Sequence, residues 1–289
     1  MTDKQKSIIF VLLVSVLGGG IQPAIKIGLA TIPPLSFVFF RFLIAGLVVL
    51  PWLFKRDFIK SFWKLIPLSI LGTLNIFFAV FGIARTPATV GQLLYAGVPI
   101  LIVFLLFVLF REKLSRNKVV GILIGFLGVA TVALLPVIEK GSKFSGDLLG
   151  NMFLACGVVS WALYIVYSRK ALKNFSPLTV TAVFIWTTCI LAFPFFITEL
   201  STHPGWWGNL TLVSFMSVGF SSIFATVGLF LFNQYAIKYG GSVLASLQFY
   251  LQPIVTYLVA SSILGEHLTM GIVMGGILSL LGVYITTRK

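Results

Sequence analysis

The sequence is poor in charge, in acids, in histidine and in cysteine, and each shortage removes a class of protein. Charged residues are 10% of the 289, hydrophobic residues 58%, and mean hydropathy is +1.07. Such a composition excludes a soluble globular domain, which carries about 25% charge. Cys156 and Cys189 both stand inside apolar runs, so neither a disulfide framework nor a thiolate metal site is expected. His203 and His267 are the only histidines, and they fall in separate loops with no carboxylate cluster beside them. A membrane-embedded lipid-modifying enzyme, which needs a nucleophile, metal or acid/base set at the interface, is the weaker alternative for that reason. No catalytic residue, metal site or cofactor is expected, and no phosphate-binding loop is present to couple the chain to ATP.

The acids are absent from one further place. Asp3, Asp57, Glu112, Glu139, Asp147, Glu199 and Glu266 all fall in tails, loops or helix ends. A proton- or sodium-coupled carrier usually needs an ionisable group at the midplane, so the pattern leans towards facilitated diffusion or exchange, or towards coupling through a group at a helix end. The net charge of +14 does not indicate nucleic acid, because the basic residues are scattered through short loops.

What is present is a long series of apolar runs. Windows of roughly 20 residues fall at 7–29, 34–54, 62–83, 88–110, 117–135, 148–170, 177–199, 211–236, 241–264 and 269–287. At about 1.5 Å per residue each spans the ~30 Å hydrocarbon core. The expected fold class is an all-α integral membrane protein of ten transmembrane helices.

The runs repeat. Residues 88–129 and 242–283 align without a gap at an offset of 154 and match at ten of forty-two positions, among them Pro99 with Pro253, Glu112 with Glu266, Leu114 with Leu268, Gly121 with Gly275 and Gly128 with Gly282. Earlier, Lys26, Pro34 and Pro51 fall on Arg169, Pro177 and Pro194 at an offset of 143, and the loop around Trp206 and Trp207 carries the eleven extra residues. The two tryptophans read as interfacial anchors. Two five-helix repeats, 1–140 and 141–289, follow.

An odd number of spans inverts one repeat against the other. Counting alternate loops puts sixteen Lys and Arg on the N-terminal side and four on the other, which predicts a multi-pass protein of the cytoplasmic (inner) membrane with both termini in the cytoplasm. Arg111, Lys113, Arg116 and Lys118 of the first copy become Gly265, His267, Met270 and Ile272 in the second, as expected if that turn now faces outward.

Each repeat carries a proline near the middle of a span, which strands the carbonyls of Tyr95 and Phe249. Each alone reads as a structural kink. Matching broken helices at the midplane are where secondary transporters bind substrate. The polar residues near them are the candidate site: Gln248 and Gln252 on one face beside Pro253, Gln92, Tyr95 and Pro99 on one side of the matching span, Trp161, Tyr164 and Ser168 in the sixth, Asn75 and Phe78 in the third. Interhelical hydrogen bonding is the plain alternative for each glutamine, and a packing stripe is the default for Phe78 and Trp161. For Arg41, seven residues into the second span, pairing with a substrate carboxylate is the alternative, but from that depth its long stem is expected to snorkel to the outer interface. Glu112 and Glu266 are expected to cap or brace the helices that follow them.

The segments AIKIGLATIPPLSFVFFRFLIAGLVVLP, GTLNIFFAVFGIARTPATVGQLLYAGVPILIVFLLFVLFREKLSRNKVVGILIGFLGV, SWALYIVYSRKAL and LQPIVTYLVASSILGEHLT resemble the EamA family of the drug/metabolite transporter superfamily. The resemblance covers nearly the whole chain in two copies. One departure is Leu17 before Gly18-Gly19-Gly20, where the family often has tryptophan. The resemblance implies inverted five-helix repeats, alternating access around a central cavity, and transport of small metabolites, foremost export of amino acids or amino-acid-like compounds, with another metabolite or a drug as the alternative solute. The partners expected are a small-molecule substrate and the lipid bilayer, with no nucleic acid. Ten helices suffice to enclose a cavity in a monomer, and a dimer is possible through the glycines at 121, 125 and 128.

Overall fold

A computed structural model of the chain describes residues 1–54, 58–85, 88–113, 115–139, 148–203, 205–255 and 270–288. Among the described residues the backbone is almost all helical and holds no strand. The helices are α1 (Asp3–Leu29), α2 (Pro34–Val49), α3 (Phe58–Ile83), α4 (Ala88–Ala96), α5 (Val98–Phe110), α6 (Arg116–Glu139), α7 (Leu148–Ala171), α8 (Pro177–Thr202), α9 (Leu212–Phe220), α10 (Leu229–Ser246), α11 (described over 248–255) and α12 (Met270–Thr287). A π-helical turn, Ser221–Gly228, joins α9 to α10 without a gap.

Among the described residues, six stretches are long and apolar enough to cross a bilayer: Pro34–Trp52, Phe58–Ile83, Leu93–Phe110, Leu148–Ala171, Pro177–Thr202 and Leu212–Ser246. The last holds one expected span and the start of the next. The join is marked inside α10 by Gly241, whose φ of 76° is a left-handed conformation that only glycine adopts cheaply. Glu266, His267 and Leu268, with the second Glu-x-Leu turn, lie outside the described residues, as do the side chains of Gln92 and Lys26.

Local chemistry sets the helix starts. Thr2 caps α1 with a reciprocal Thr2–Gln5 box, Ser176 caps α8, and Thr211 caps α9, each supplying an acceptor to a first-turn amide. Pro34 and Pro177 open α2 and α8, where a missing N–H costs nothing.

The outward surface is apolar. Phe54, Trp63, Leu212, Phe215, Met216, Phe104 and Phe107 are exposed while Asn75, Asn233, Gln234 and Gln248 are buried. This is the reverse of a soluble protein and suits a lipid surround. Four helix pairs dominate the packing: α6 with α12, α3 with α7, α1 with α10, and α2 with α8.

Two of these pairs join equivalent helices of the two copies, and both run antiparallel. In α6–α12, a Cβ on Gly121 would stand 2.8 Å from the Gly282 carbonyl, and one on Gly128 2.7 Å from the Gly275 carbonyl. In α2–α8, Glu199 near the end of α8 accepts from the Leu35 amide at 3.1 Å and the Ser36 amide at 2.6 Å at the start of α2. Phe39 stacks on Phe196 at 4.6 Å. The glycines thus serve close packing within one chain.

Three local expectations change. The interruption in the first copy is at Gly97, two residues before Pro99, and in the second at Leu247, six before Pro253. The helix runs on through Pro253, so the two breaks are not equivalent. Glu112 does not cap α6 but takes two hydrogen bonds from Arg169 Nη1, at 2.9 and 2.7 Å. Trp206 is buried, stacked on Trp207 at 4.0 Å, so only Trp207 offers a face outward.

Candidate substrate cavity

A cavity of about 200 Å³ lies between helices of the two repeats. Its wall takes residues from α1, α2, α3 and α4 on one side, and from α7, the π-helical turn, α10 and α11 on the other. Leu29 and Ile83, the last residues of α1 and α3, border it, as does Phe37 in the first turn of α2. The cavity therefore lies towards the ends of the helices remote from the N-terminal face.

Of the residues singled out by sequence, Asn75, Tyr95, Trp161, Gln248 and Gln252 face it. Asn75 Nδ2 donates to the Tyr95 hydroxyl at 2.7 Å and to the Gly157 carbonyl at 2.9 Å. A side chain at 157 would meet the Tyr95 hydroxyl at 3.3 Å and Asn75 at 3.5 Å, so glycine there lets α3, α4 and α7 converge. Gln248 Nε2 donates to Asn233 Oδ1 at 2.8 Å, and Gln252 Nε2 reaches Gln248 Oε1 at 3.5 Å. Gln252 lies against the backbone of α1, since a Cβ on Gly18 would fall 2.4 Å from its Nε2. Gly18, next to the departure at Leu17, is thus part of the wall.

Tyr95 and Phe249 occupy equivalent positions in the two repeats, and their rings stack at 5.9 Å. Trp161 packs on Phe230 at 5.7 Å, and its Nε1 has no hydrogen-bond partner among the described residues. Together with Phe37 these rings give the wall a broad aromatic face.

Four expected residues stand off the wall. Tyr164 is fully buried one layer behind Trp161, 5.0 Å from its ring, and its hydroxyl accepts from Gln234 Nε2 at 2.7 Å. Ser168 joins the same cluster, 3.2 Å from Gln234. Phe78 packs on Phe153 at 6.2 Å, and Pro99 is buried in α5. Helical spacing put these residues on the right helices, but turning them into or out of the cavity depends on how neighbouring helices rotate.

Arg41 is the clearest reversal. It is only 8% exposed and borders the cavity, with Nε donating to Thr226 Oγ1 at 2.6 Å and Nη2 to the Ala225 carbonyl at 3.1 Å. The π-helical turn presents both acceptors inward, which a straight α-helical reading of 211–236 could not foresee. Its stem therefore does not snorkel. Asn233 and Gln234 were also passed over, although two amides inside an apolar span carry the same signal that picked out Gln248.

Tyr250 fills the space over Gly125 and donates to the Ile122 carbonyl at 2.8 Å. The Glu112–Arg169 pair bridges the two repeats.

A model of the EamA-like transporter family matches residues 5–134 and again 148–288. An uncharacterized transporter of Archaeoglobus fulgidus is 29% identical over 269 residues, covering 92% of this chain and 93% of that one. The uncharacterized transporter YyaM of Bacillus subtilis is 30% identical over 261 residues, covering 86% and 83%. One crystal structure superposes with a TM-score of 0.78 at 20% identity, over 97% of this chain and 96% of the other, a likeness of fold.

Proposed function

The chain belongs to the EamA-like transporter family of the drug/metabolite superfamily, and from that premise we propose that it exports a small amphipathic metabolite, an amino acid or amino-acid-like compound, by alternating access. It is a multi-pass membrane transporter; the solute, the direction and the mechanism are our reading. The observation that carries the reading is a cavity walled by both repeats, with amides from Asn75, Gln248 and Gln252 beside aromatic rings. Amides donate to and accept from a polar head, and rings cover an apolar tail.

We read the chain as ten helices in two inverted repeats, 1–140 and 141–289, acting as a monomer without catalytic chemistry. Antiparallel packing of α6 on α12 and of α2 on α8 supports this, because equivalent spans can meet antiparallel only if the repeats cross the membrane in opposite senses. So does the exchange of partners, in which α3 packs on α7 as α1 packs on α10. The basic excess on the N-terminal side argues for cytoplasmic termini in an inner membrane. The present arrangement then faces outward, with Glu112–Arg169 and Tyr250 closing the cytoplasmic side.

Uptake of labelled amino acids into proteoliposomes tests the function, comparing wild type with Gln252→Ala and Tyr95→Ala, with and without a pH gradient. Flux well above empty vesicles, lowered by both substitutions at unchanged folded yield and unaltered by the gradient, is expected. Background flux for every amino acid would remove the solute assignment.

A further inference from the structure

The geometry points to a carboxylate anion as the part of the solute that Arg41 holds; this deepens the transport reading and rests on the same cavity. Arg41 is the eighth residue of α2 and is buried beside the cavity. Its two hydrogen-bond partners, a threonine hydroxyl and a backbone carbonyl, are both neutral, so its charge is braced but not balanced. A guanidinium has five N–H donors, and these two bonds leave donors over for a ligand.

No carboxylate among the described residues is placed to neutralise it. Glu112 is taken by Arg169, Asp3 pairs with Lys6, and Glu199 caps the start of α2. None of them borders the cavity. A cation within a span is costly even on the mildest scale, and its remaining partner in a low-dielectric cavity is an anion brought in from solution. A carboxylate matches the planar fork in shape as well as in charge. The same unbalanced charge repels amines, so a solute with an ammonium group and no carboxylate is rejected. The rings of Trp161, Phe230 and Phe37 then receive an apolar tail.

The test compares ligands that differ only at the head: 3-phenylpropionate, its amide and phenethylamine, with hexanoate and pentylamine as an aliphatic pair. Thermal stabilisation of the purified full-length protein reads their affinities. The carboxylates are expected to bind about tenfold or more tightly than the amide and amines. Arg41→Gln should erase that preference, while Arg41→Lys, which keeps the charge and loses the fork, should keep it at weaker affinity. Thr226→Val controls for the brace, and the preference for carboxylates should survive it. Amide or amine binding as tight as carboxylate in the wild type overturns the inference without any variant having to fold, as does an unchanged preference in folded Arg41→Gln. Silence from all five ligands also overturns it. The flux measurement above judges transport separately: uptake of solutes lacking a carboxylate would sink the Arg41 assignment and leave transport standing.

Discussion

Gln252 can lie across α1 only because position 18 has no side chain. A methyl at Gly18 would sit 2.4 Å from Gln252 Nε2 and 2.8 Å from its Cδ, so Gly18→Ala is expected to push the amide out of place and lower flux as Gln252→Ala does. Transport of the mutant protein, normalised to folded yield, checks this, and wild-type flux in Gly18→Ala would show that the contact yields freely. The wall of the candidate cavity was legible where a polar residue is costly in a span, which is why Gln248, Gln252 and Asn75 could be named from sequence. It was not legible where the answer depended on helix rotation or on backbone irregularity. Tyr164 points into the Gln234 cluster instead of the cavity, and Arg41 is held inward by a π-helical turn whose sequence, Ser221–Gly228, looks like any other apolar stretch.

At the scale of helices, the repeated glycines carry the packing of α6 on α12. A Cβ at Gly128 would fall 2.4 Å from the Ser279 amide, and one at Gly282 would fall 2.3 Å from the Gly125 amide. Both obstacles are backbone and cannot swing aside. Gly128→Ala and Gly282→Ala are therefore expected to destabilise the fold by about 1–3 kcal/mol, seen as a lower melting temperature in detergent. The Glu112–Arg169 pair is of another kind. Its side chains are 37% and 41% exposed, and a partly solvated ion pair contributes at most about 1 kcal/mol. Glu112→Gln should leave the melting temperature nearly unchanged while favouring opening on the N-terminal side. The Glu-x-Leu spacing revealed this position in the sequence. Its partner, on the other repeat, could come only from the fold.

Across the whole molecule, the apolar runs carry the all-helical architecture, while the offset of 154 and the glycine matches are the sequence's own ground for reading two similar halves. Sequence spacing could not say which helices touch, because equivalent spans can pack on each other or on strangers. The antiparallel contacts Gly121–Gly282 and Gly128–Gly275 settle their neighbours. Proline spacing also overstated the symmetry: α4 stops before Gly97, whereas the second interruption comes at Leu247, well ahead of its proline.

The most direct measurement is the side from which the cavity can be reached. Ala79 borders it from α3, and a single cysteine there, with Cys156 and Cys189 replaced by serine, can be alkylated by a membrane-impermeant maleimide in vesicles of known orientation. The account predicts rapid labelling from the face opposite the N-terminus, slow labelling from the N-terminal face, and a rise in the latter when Glu112→Gln is added. Labelling from the N-terminal face alone, unaffected by Glu112→Gln, would contradict both the orientation and the assignment of that pair to closing the cavity.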